Sequence, residues 1–541
     1  MRAPSTSFHR AALASVLALA SCGVARPPAA APLPEGPPPP GWTRVGDALV
    51  GGPMATPLAS GSELEGGDAT VDVVLELADA ATTAASLVIG DNHVGFCGRD
   101  GEPFVEGPLF GGGPLRLDAR PPRAGEPFHL RVVRRGGKLA IEWDGAALPP
   151  VDDPGGPLGE VRLRPHRDTM TVTRFVVTGG EPVRAPIGRS TLVLASGDGA
   201  HTYRIPSLVV AANGDLVAFV EARRTGSGDA GDVDLVVLRS VDGGASWSEP
   251  AAIFDDGPNT CGNPCPVVVG DEGRIVLLAT KNLGHDRESA IVDGTSEGTR
   301  TVWILESDDH GRSWSEPREI TADVKRESWT WYATGPGAGI RMQRGAHAGR
   351  LVVPCDHIEA GTKRYFSHVV VSDDGGATWR LGGSTPRDAV NECEVAELED
   401  GALLLNMRNY DRSQRTRQQA VSRDGGATWT EQRHVPELTE PICQASLRRL
   451  RFASATSPGV LLLSNPASTT ARERLTLRAS FDDGATWPWS ATLDPGPAAY
   501  SCLAVTSDGD VLCLYEAANY REIRLHRVSA AELRSLASPM R

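Results

Sequence analysis

Ser240-Val-Asp-Gly-Gly-Ala-Ser-Trp247 recurs four times along this chain. The later copies are Ser307-Asp-Asp-His-Gly-Arg-Ser-Trp314, Ser372-Asp-Asp-Gly-Gly-Ala-Thr-Trp379, Ser422-Arg-Asp-Gly-Gly-Ala-Thr-Trp429 and Ser480-Phe-Asp-Asp-Gly-Ala-Thr-Trp487. Their starts lie 67, 65, 50 and 58 residues apart. Apolar runs such as Leu235-Val-Val-Leu238 and His368-Val-Val-Val371 precede them, so each unit is a few strands with a fixed turn between two of them. Repetition at this period marks a propeller or a solenoid. The stretch from Ser190 to about Arg527, divided by the mean spacing, predicts six units. Within an octet the aspartate accepts hydrogen bonds from its own turn, glycine supplies positive φ and tryptophan packs between sheets. The octet is a folding device. It lacks the dense oxygen ligands that Ca²⁺ requires, so no catalytic or metal-binding role is assigned to it.

N-terminal to the repeats, residues 42–182 read as β throughout. Val71-Asp-Val-Val-Leu-Glu-Leu77 and Phe128-His-Leu-Arg-Val-Val-Arg134 alternate, and Gly136-Gly137 turns the second run into Lys138-Leu-Ala-Ile-Glu-Trp143 as a hairpin. A last strand pair is expected between Val161 and Val177. Short antiparallel strands of this kind favour a sandwich. From Pro27 to Pro40 eight of fourteen residues are proline, so 22–41 is an extended tether. Residues 1–21 read as a signal peptide: Arg2, His9 and Arg10 precede a short apolar run, Ala11 to Ala20, too short to span a bilayer.

Composition narrows the function. The chain has 541 residues, 54 Lys+Arg against 68 Asp+Glu, and a net charge of −14. That argues against a nucleic-acid partner, which needs a concentrated basic surface. Eight cysteines besides Cys22 in so long a chain make no disulfide scaffold, although Cys261 and Cys265 are near enough in sequence to bridge. No paired CxxC supports zinc.

Tyr203-Arg204-Ile205-Pro206 resembles the motif that opens the catalytic domain of bacterial exo-α-sialidases, and further matches follow in order across the repeats. The resemblance implies an all-β enzyme, a six-bladed β-propeller over 190–535 preceded by a concanavalin-like or jelly-roll sandwich. It implies an Arg triad, Arg204, Arg408 and Arg472, for the sialic acid carboxylate, with Arg474 as rival for the third place. Arginine suits this task because its planar fork binds a carboxylate bidentately and keeps its charge. An anionic nucleophile beside that carboxylate would be repelled, whereas a neutral phenol is not; sialidases use tyrosine.

Tyr500 matches the family's nucleophile and Glu392 its base. Glu392 stands sixteen residues before Arg408, and Tyr500 sixteen before Glu516, the acid that in the family orients the first arginine. Asp229 is the candidate general acid, with Asp232 and Asp234 as competitors, and its pKa is expected to rise within the site. Either Arg223 or Arg224 should reach the carboxylate region: the family's spacing to the acid fits Arg224, and the local pattern fits Arg223. Asn263, Asp356 and His357 are candidate contacts to the acetamido and glycerol groups. Ala338 stands where relatives commonly carry histidine after Gly-Pro-Gly.

Leu19-Ala20-Ser21-Cys22 resembles a bacterial lipobox, which implies lipidation of Cys22 and anchoring at the cell envelope; an ordinary signal peptide would imply secretion. The implied partners are sialylated glycoconjugates, contact with membrane is by the lipid anchor only, no cofactor is required and a monomer is expected. Three rival readings stay open: a trans-sialidase on the same residues, a non-catalytic sialoglycan-binding propeller, and a propeller glycosidase of different specificity.

Overall fold

The computed structural model describes residues 33–533 apart from 35–36, 65–66, 80–84, 98–101, 154–157 and 183–185. The expected signal peptide, Cys22 and much of the tether lie outside the described residues. Among the described residues α-helix is confined to Glu288–Asp293 and Thr321–Val324, so the all-β expectation holds. Two compact units divide at Val183/Arg184.

The first unit consists of two antiparallel sheets. One runs in the order Trp42–Val45, Ala48–Gly51, Met170–Thr178, Ala69–Leu77, Phe128–Arg135, Lys138–Trp143 and Ala146–Ala147. The other is centred on Leu58–Leu64, Gly159–Arg164, Ala85–Ile89 and Asn92–Cys97. Strict alternation places Val71, Val73, Leu75 and Leu77 in one core. The expected hairpin forms, with Leu139 opposite Arg134. Phe96 from one sheet meets Phe128 and Trp143 from the other at ring-centroid distances of 5.2 and 4.8 Å, an edge-and-tilt cluster that seals the sheets together. The expected pair between Val161 and Val177 does not form. Gly159–Arg164 joins the Ala85–Ile89 sheet and Met170–Thr178 the Ala69–Leu77 sheet. The intervening turn crosses between layers, and each strand's apolar side faces the shared core.

In the second unit the strands pair as six successive antiparallel meanders among the described residues. They begin at Thr202–Val210, Thr260–Val269, Trp329–Thr334, Val390–Glu397, Ser446–Arg451 and within the long strand Trp489–Val505. Trp489–Val505 finishes one meander against Glu473–Ser480 and starts the next against Val511–Ala517. The last meander is completed by the unit's own first strand, since Arg189–Ala195 pairs with Glu522–Val528.

The octets close the turns as their chemistry requires. Asp374 Oδ1 accepts the Thr378 amide at 3.0 Å, Oδ2 accepts the Thr378 hydroxyl at 2.6 Å, and the Ser372 hydroxyl donates to Oδ1 at 2.8 Å. Gly244 has φ +93°, and a Cβ there would lie 2.4 Å from Leu525, so this turn position admits only glycine. Trp314 meets Phe219 of the preceding meander at 5.4 Å, edge to face.

The first strands of the meanders are buried and stitched to one another. Ser207 Oγ donates to the Gly337 carbonyl at 2.7 Å, and the Gln444 amide donates to the carbonyls of Pro336 and Ser501. The Glu394 carboxylate accepts from the Ala338 and Leu447 amides and the Ser446 hydroxyl. Cys261 and Cys265 are both buried free thiols on one extended strand. Four steps of about 3.3 Å carry their Cα atoms past the reach of a disulfide, roughly 7 Å.

Candidate active site

Two β-bulges set the site's geometry. Register shifts between Arg204 and Ser207, and again between Gly262 and Cys265, put Ile205 and Asn263 at φ +55°. A bulge re-aims the side chains around it. Arg204, Arg223, Asp229, Asn263, Asp356, Glu392, Arg408, Arg472 and Tyr500 line one cavity. Nine of the eleven site residues expected from sequence on these repeats are therefore brought together, Glu516 and His357 being the exceptions. Glu516 lies outside the cavity lining, behind the first arginine that it was expected to orient. It sits behind Arg204, fully buried, and holds Arg204 Nε and Nη2 at 2.9 and 3.2 Å.

Tyr500 and Glu392 come from different meanders. The Tyr500 hydroxyl donates to Glu392 Oε1 at 2.5 Å, and Arg408 Nη1 reaches that hydroxyl at 2.8 Å and Glu392 Oε2 at 2.5 Å. The guanidiniums of Arg204 and Arg472 stand 5.3 and 5.5 Å from the Tyr500 ring centroid. Two cations thus face the Tyr500 ring and a third, Arg408, holds its hydroxyl. Burial and the Glu392 charge push the Tyr500 phenol well above its usual value, with Arg408 and Arg472 pulling the other way. Tyr500 is a neutral phenol with its hydroxyl proton aimed at a carboxylate. Arg472 is tethered by the Tyr520 hydroxyl and the Ile442 carbonyl, both at 3.2 Å, and it, not Arg474, lines the cavity.

Asp229 lies on the loop after Leu216–Arg223 and is 72 % exposed. Arg223 Nη1 lies 2.8 Å from its Oδ1 and Arg204 Nη1 3.5 Å. Its expected upward pKa shift is corrected. Desolvation does push the carboxyl up, but the charges of Arg223 and Arg204 outweigh it and leave the pKa lowered. Of the two loop arginines, Arg223 faces the cavity and pairs with Glu221, whereas Arg224 turns away to Asp234 and the Gly199 carbonyl. That pairing also removes Asp234 from contention as the acid.

The cavity is also lined by residues that no motif announced: Glu288, Arg300 and Tyr410. Glu288 opens the short helix Glu288–Asp293, in an insertion between two strands. Arg300 is buried over Trp331, 4.2 Å from its ring, and donates to Asn263 Oδ1 and Thr280 Oγ1. His357 is a second correction. It is stacked on Trp329 at 3.5 Å and bonded to His368, away from the cavity, and burial lowers its pKa to about 3. Its strand alternates, so Asp356 faces the cavity and His357 does not.

The profile of the BNR repeat-like domain family matches residues 214–513. A sialidase of Micromonospora viridifaciens is 34% identical over 352 residues, which is 63% of this chain and 53% of that protein. An exo-alpha-sialidase of Aspergillus fumigatus is 31% identical over 313 residues, 53% of this chain and 70% of that protein. Among solved structures, Hadza microbial sialidase Hz136 superposes with a TM-score of 0.57 at 25% identity, covering 89% of this chain and 99% of that one. Strand meanders closed by a repeated octet, with a cavity at the ends of their buried first strands, define a BNR repeat-like protein. The chain belongs to the exo-α-sialidase family. It spans about half the length of the Micromonospora relative.

Proposed function

We propose that this protein is a glycoside hydrolase, an exo-α-sialidase that releases terminal α-linked sialic acids from glycoconjugates with retention of configuration. The observation that carries the reading is the 2.5 Å hydrogen bond from Tyr500 to Glu392 beneath the three guanidiniums of Arg204, Arg408 and Arg472. A binding site needs the cations to hold an anionic sugar; a phenol aimed at a carboxylate serves nucleophilic attack. The sialidases named above carry the same substrate class in their names.

The steps follow from the atoms in place. The arginines hold the sugar carboxylate, and Asp229 protonates the leaving oxygen as its bond to the anomeric carbon breaks. Tyr500 Oη bonds that carbon while its proton passes to Glu392. Water then attacks, Asp229 takes its proton, and the Tyr500 oxygen leaves and regains the proton from Glu392. Substrate binding supplies the acid form of Asp229. A bound carboxylate neutralises Arg204, one of the two cations that hold the Asp229 pKa down, and closing the site increases desolvation.

The architecture we infer is a six-bladed β-propeller with a lectin-like sandwich before it. Its support is that the active-site cavity takes Arg204, Asn263, Ala333, Glu392, Arg472 and Tyr500 from all six meanders. A second cavity takes Leu208, Val267, Gly339, Ala396, Arg448 and Leu503, again one residue from each of the six meanders. Two cavities, each lined by all six meanders, fit a common axis. Export through the signal peptide, with Cys22 lipidated at the envelope, completes the proposal.

The test is hydrolysis of an aryl α-sialoside followed by proton NMR. The reading requires release of the aryl group and the α-anomer as first product. First formation of the β-anomer would remove the covalent mechanism, and a folded but inactive protein would favour a carbohydrate-binding propeller.

A further inference from the structure

The second cavity, of about 330 Å³, shares no lining residue with the active-site cavity. Asn263 and Val267, Glu392 and Ala396, and Tyr500 and Ala504 stand four residues apart, the first of each pair in the active-site cavity and the second in this one. Four residues of strand carry the chain about 13 Å. Ser207, Glu394 and Ser501 come between on these strands, and each is tied to a neighbouring meander, through Gly337, Ser446 and Gln444 respectively. The walls carry apolar side chains that water still reaches: Val210, Val268, Ile340, Phe452 and Val505, from five of the six meanders, are each part-exposed. The Phe452 ring is held by the guanidiniums of Arg344 and Arg449, 3.9 and 5.0 Å from its centroid.

Arginine supplies the charge. Arg448 donates to the carbonyls of Leu503 and Gly339 at 3.2 Å and remains 16 % exposed. Glu394, 4.0 Å from Arg448, is already taken by the Ala338 and Leu447 amides and the Ser446 hydroxyl. Arg341, two residues beyond Gly339, is exposed, and its guanidinium makes no hydrogen bond or ion pair among the described residues. Arg449 is paired with Asp483 at 2.7 Å. The one acid among the described lining residues, Glu397, is buried, and its oxygens accept the Gln343 and Arg344 amides at 2.7 and 2.8 Å. The open charge of the cavity is therefore positive, in a chain whose net charge is −14.

We propose that this cavity is a second ligand site, for a small organic monoanion in which a carboxylate or sulfonate is joined to a flat apolar body. The anion pairs with the free fork of Arg341 and with the remaining N–H groups of Arg448, a geometry in which guanidinium binds a planar anion through two bonds. The apolar body covers the valines and Phe452. Both halves are needed. An inorganic anion would satisfy the arginines and leave the apolar wall in water, whereas a neutral apolar molecule would strip water from a guanidinium and give it no partner. The volume stands near the lower end of the range for small-molecule pockets, roughly 300–1,000 Å³, which suits a body of one or two rings. Local concentration of cations also draws an anion to this place on an otherwise acidic protein. The site requires nothing of the sialidase reading.

Titration calorimetry of the full chain with naphthalene-2-carboxylate tests this, against the uncharged naphthalene-2-carboxamide and inorganic phosphate. The carboxylate is expected to bind one to one and the amide about tenfold or more weakly, the worth of a hydrogen bond between charged groups. Phosphate is expected not to compete. Arg341→Ala, at an exposed position, should weaken the carboxylate about tenfold, and Arg341→Glu should abolish its binding. Both variants should keep the wild-type thermal transition and wild-type kcat/KM on an aryl α-sialoside. Arg472→Ala, which alters the active-site cavity instead, should leave the titration unchanged. Equal affinity for acid and amide, competition by phosphate, or full affinity in Arg341→Glu would overturn the proposal. So would binding lost in Arg472→Ala, which would put the anion in the active-site cavity, or a wild type with no saturable binding.

Discussion

Both carboxylate oxygens of Glu516 are bonded to Arg204, and the same oxygens accept the backbone amides of Ile205 and Tyr500 at 2.9 and 3.2 Å. One buried acid therefore fixes the first arginine and the main chain of the nucleophile together. One edge of the Arg204 fork, Nε and Nη2, is spent on this, which leaves Nη1 toward the cavity.

Glu516→Gln removes the charge partner of a buried cation. A buried pair broken on one side costs about 3–5 kcal/mol of stability, which urea unfolding measures. Activity should fall chiefly through KM, because Arg204 is left in place without its orientation. An unchanged KM would mean that Arg204 is positioned by something else.

Arg472 and Arg474 separate cleanly in the structure. Arg472→Ala should raise KM for sialosides about ten- to a hundredfold, the worth of a hydrogen bond to a charged group. Arg474→Ala, outside the cavity, should keep near-wild-type kinetics. Steady-state kinetics on both variants checks this, and the reverse order would reassign the third arginine. Arg223 and Arg224 form a second such pair, with loss expected only for Arg223.

The Asp229 pKa gives a pH prediction of definite sign. Burial raises it, but the Arg223 and Arg204 charges prevail and hold it below the usual carboxylate range. The acid form needed for the first step declines as pH rises through that pKa. Arg223→Gln removes the nearest cation, so the Asp229 pKa rises and the basic limb of the kcat/KM profile moves to higher pH. A limb that stays fixed would assign it to another group.

Much of this was legible in the chain because local chemistry wrote it. The octets specify their own turns, so five aspartates and tryptophans identified the repeat without tertiary information. Arg204, Glu392, Arg408, Tyr500 and Glu516 sit in short motifs with fixed spacing. Glu288 and Arg300 flank an insertion between strands and reach the cavity only because separate meanders converge; nothing within a few residues of either records that. His357 failed for a simpler reason, since alternation along one strand gives the cavity to Asp356 or to its neighbour but not to both. Gly159–Arg164 and Met170–Thr178 read as a hairpin because each alternates, and alternation does not say which sheet a strand joins.

The octet aspartates predict an acid-sensitive fold with an unaffected site. Hydrogen bonds from the Thr378 hydroxyl and amide and the Ser372 hydroxyl hold Asp374 at about 2, and Asp309 is likewise held at about 2. A folded-state pKa below the usual carboxylate value means that the turns add stability above roughly pH 4 and lose it as pH falls toward 2. Asp374→Ala should lower Tm by about 1–3 °C at pH 7, and by less at pH 3, with kcat/KM unchanged. Equal losses at both pH values would contradict this, as would a loss of activity.

The central claim is that Tyr500 forms a covalent bond to the sugar. The most direct measurement is peptide mapping by mass spectrometry after incubation with a fluorinated sialosyl fluoride that slows turnover of the glycosyl-enzyme. The account predicts a single adduct on the peptide containing Tyr500, lost in Tyr500→Phe while that variant keeps its thermal transition. An adduct on Glu392 or Asp229, or an unmodified wild type that still turns over the reagent, would contradict it.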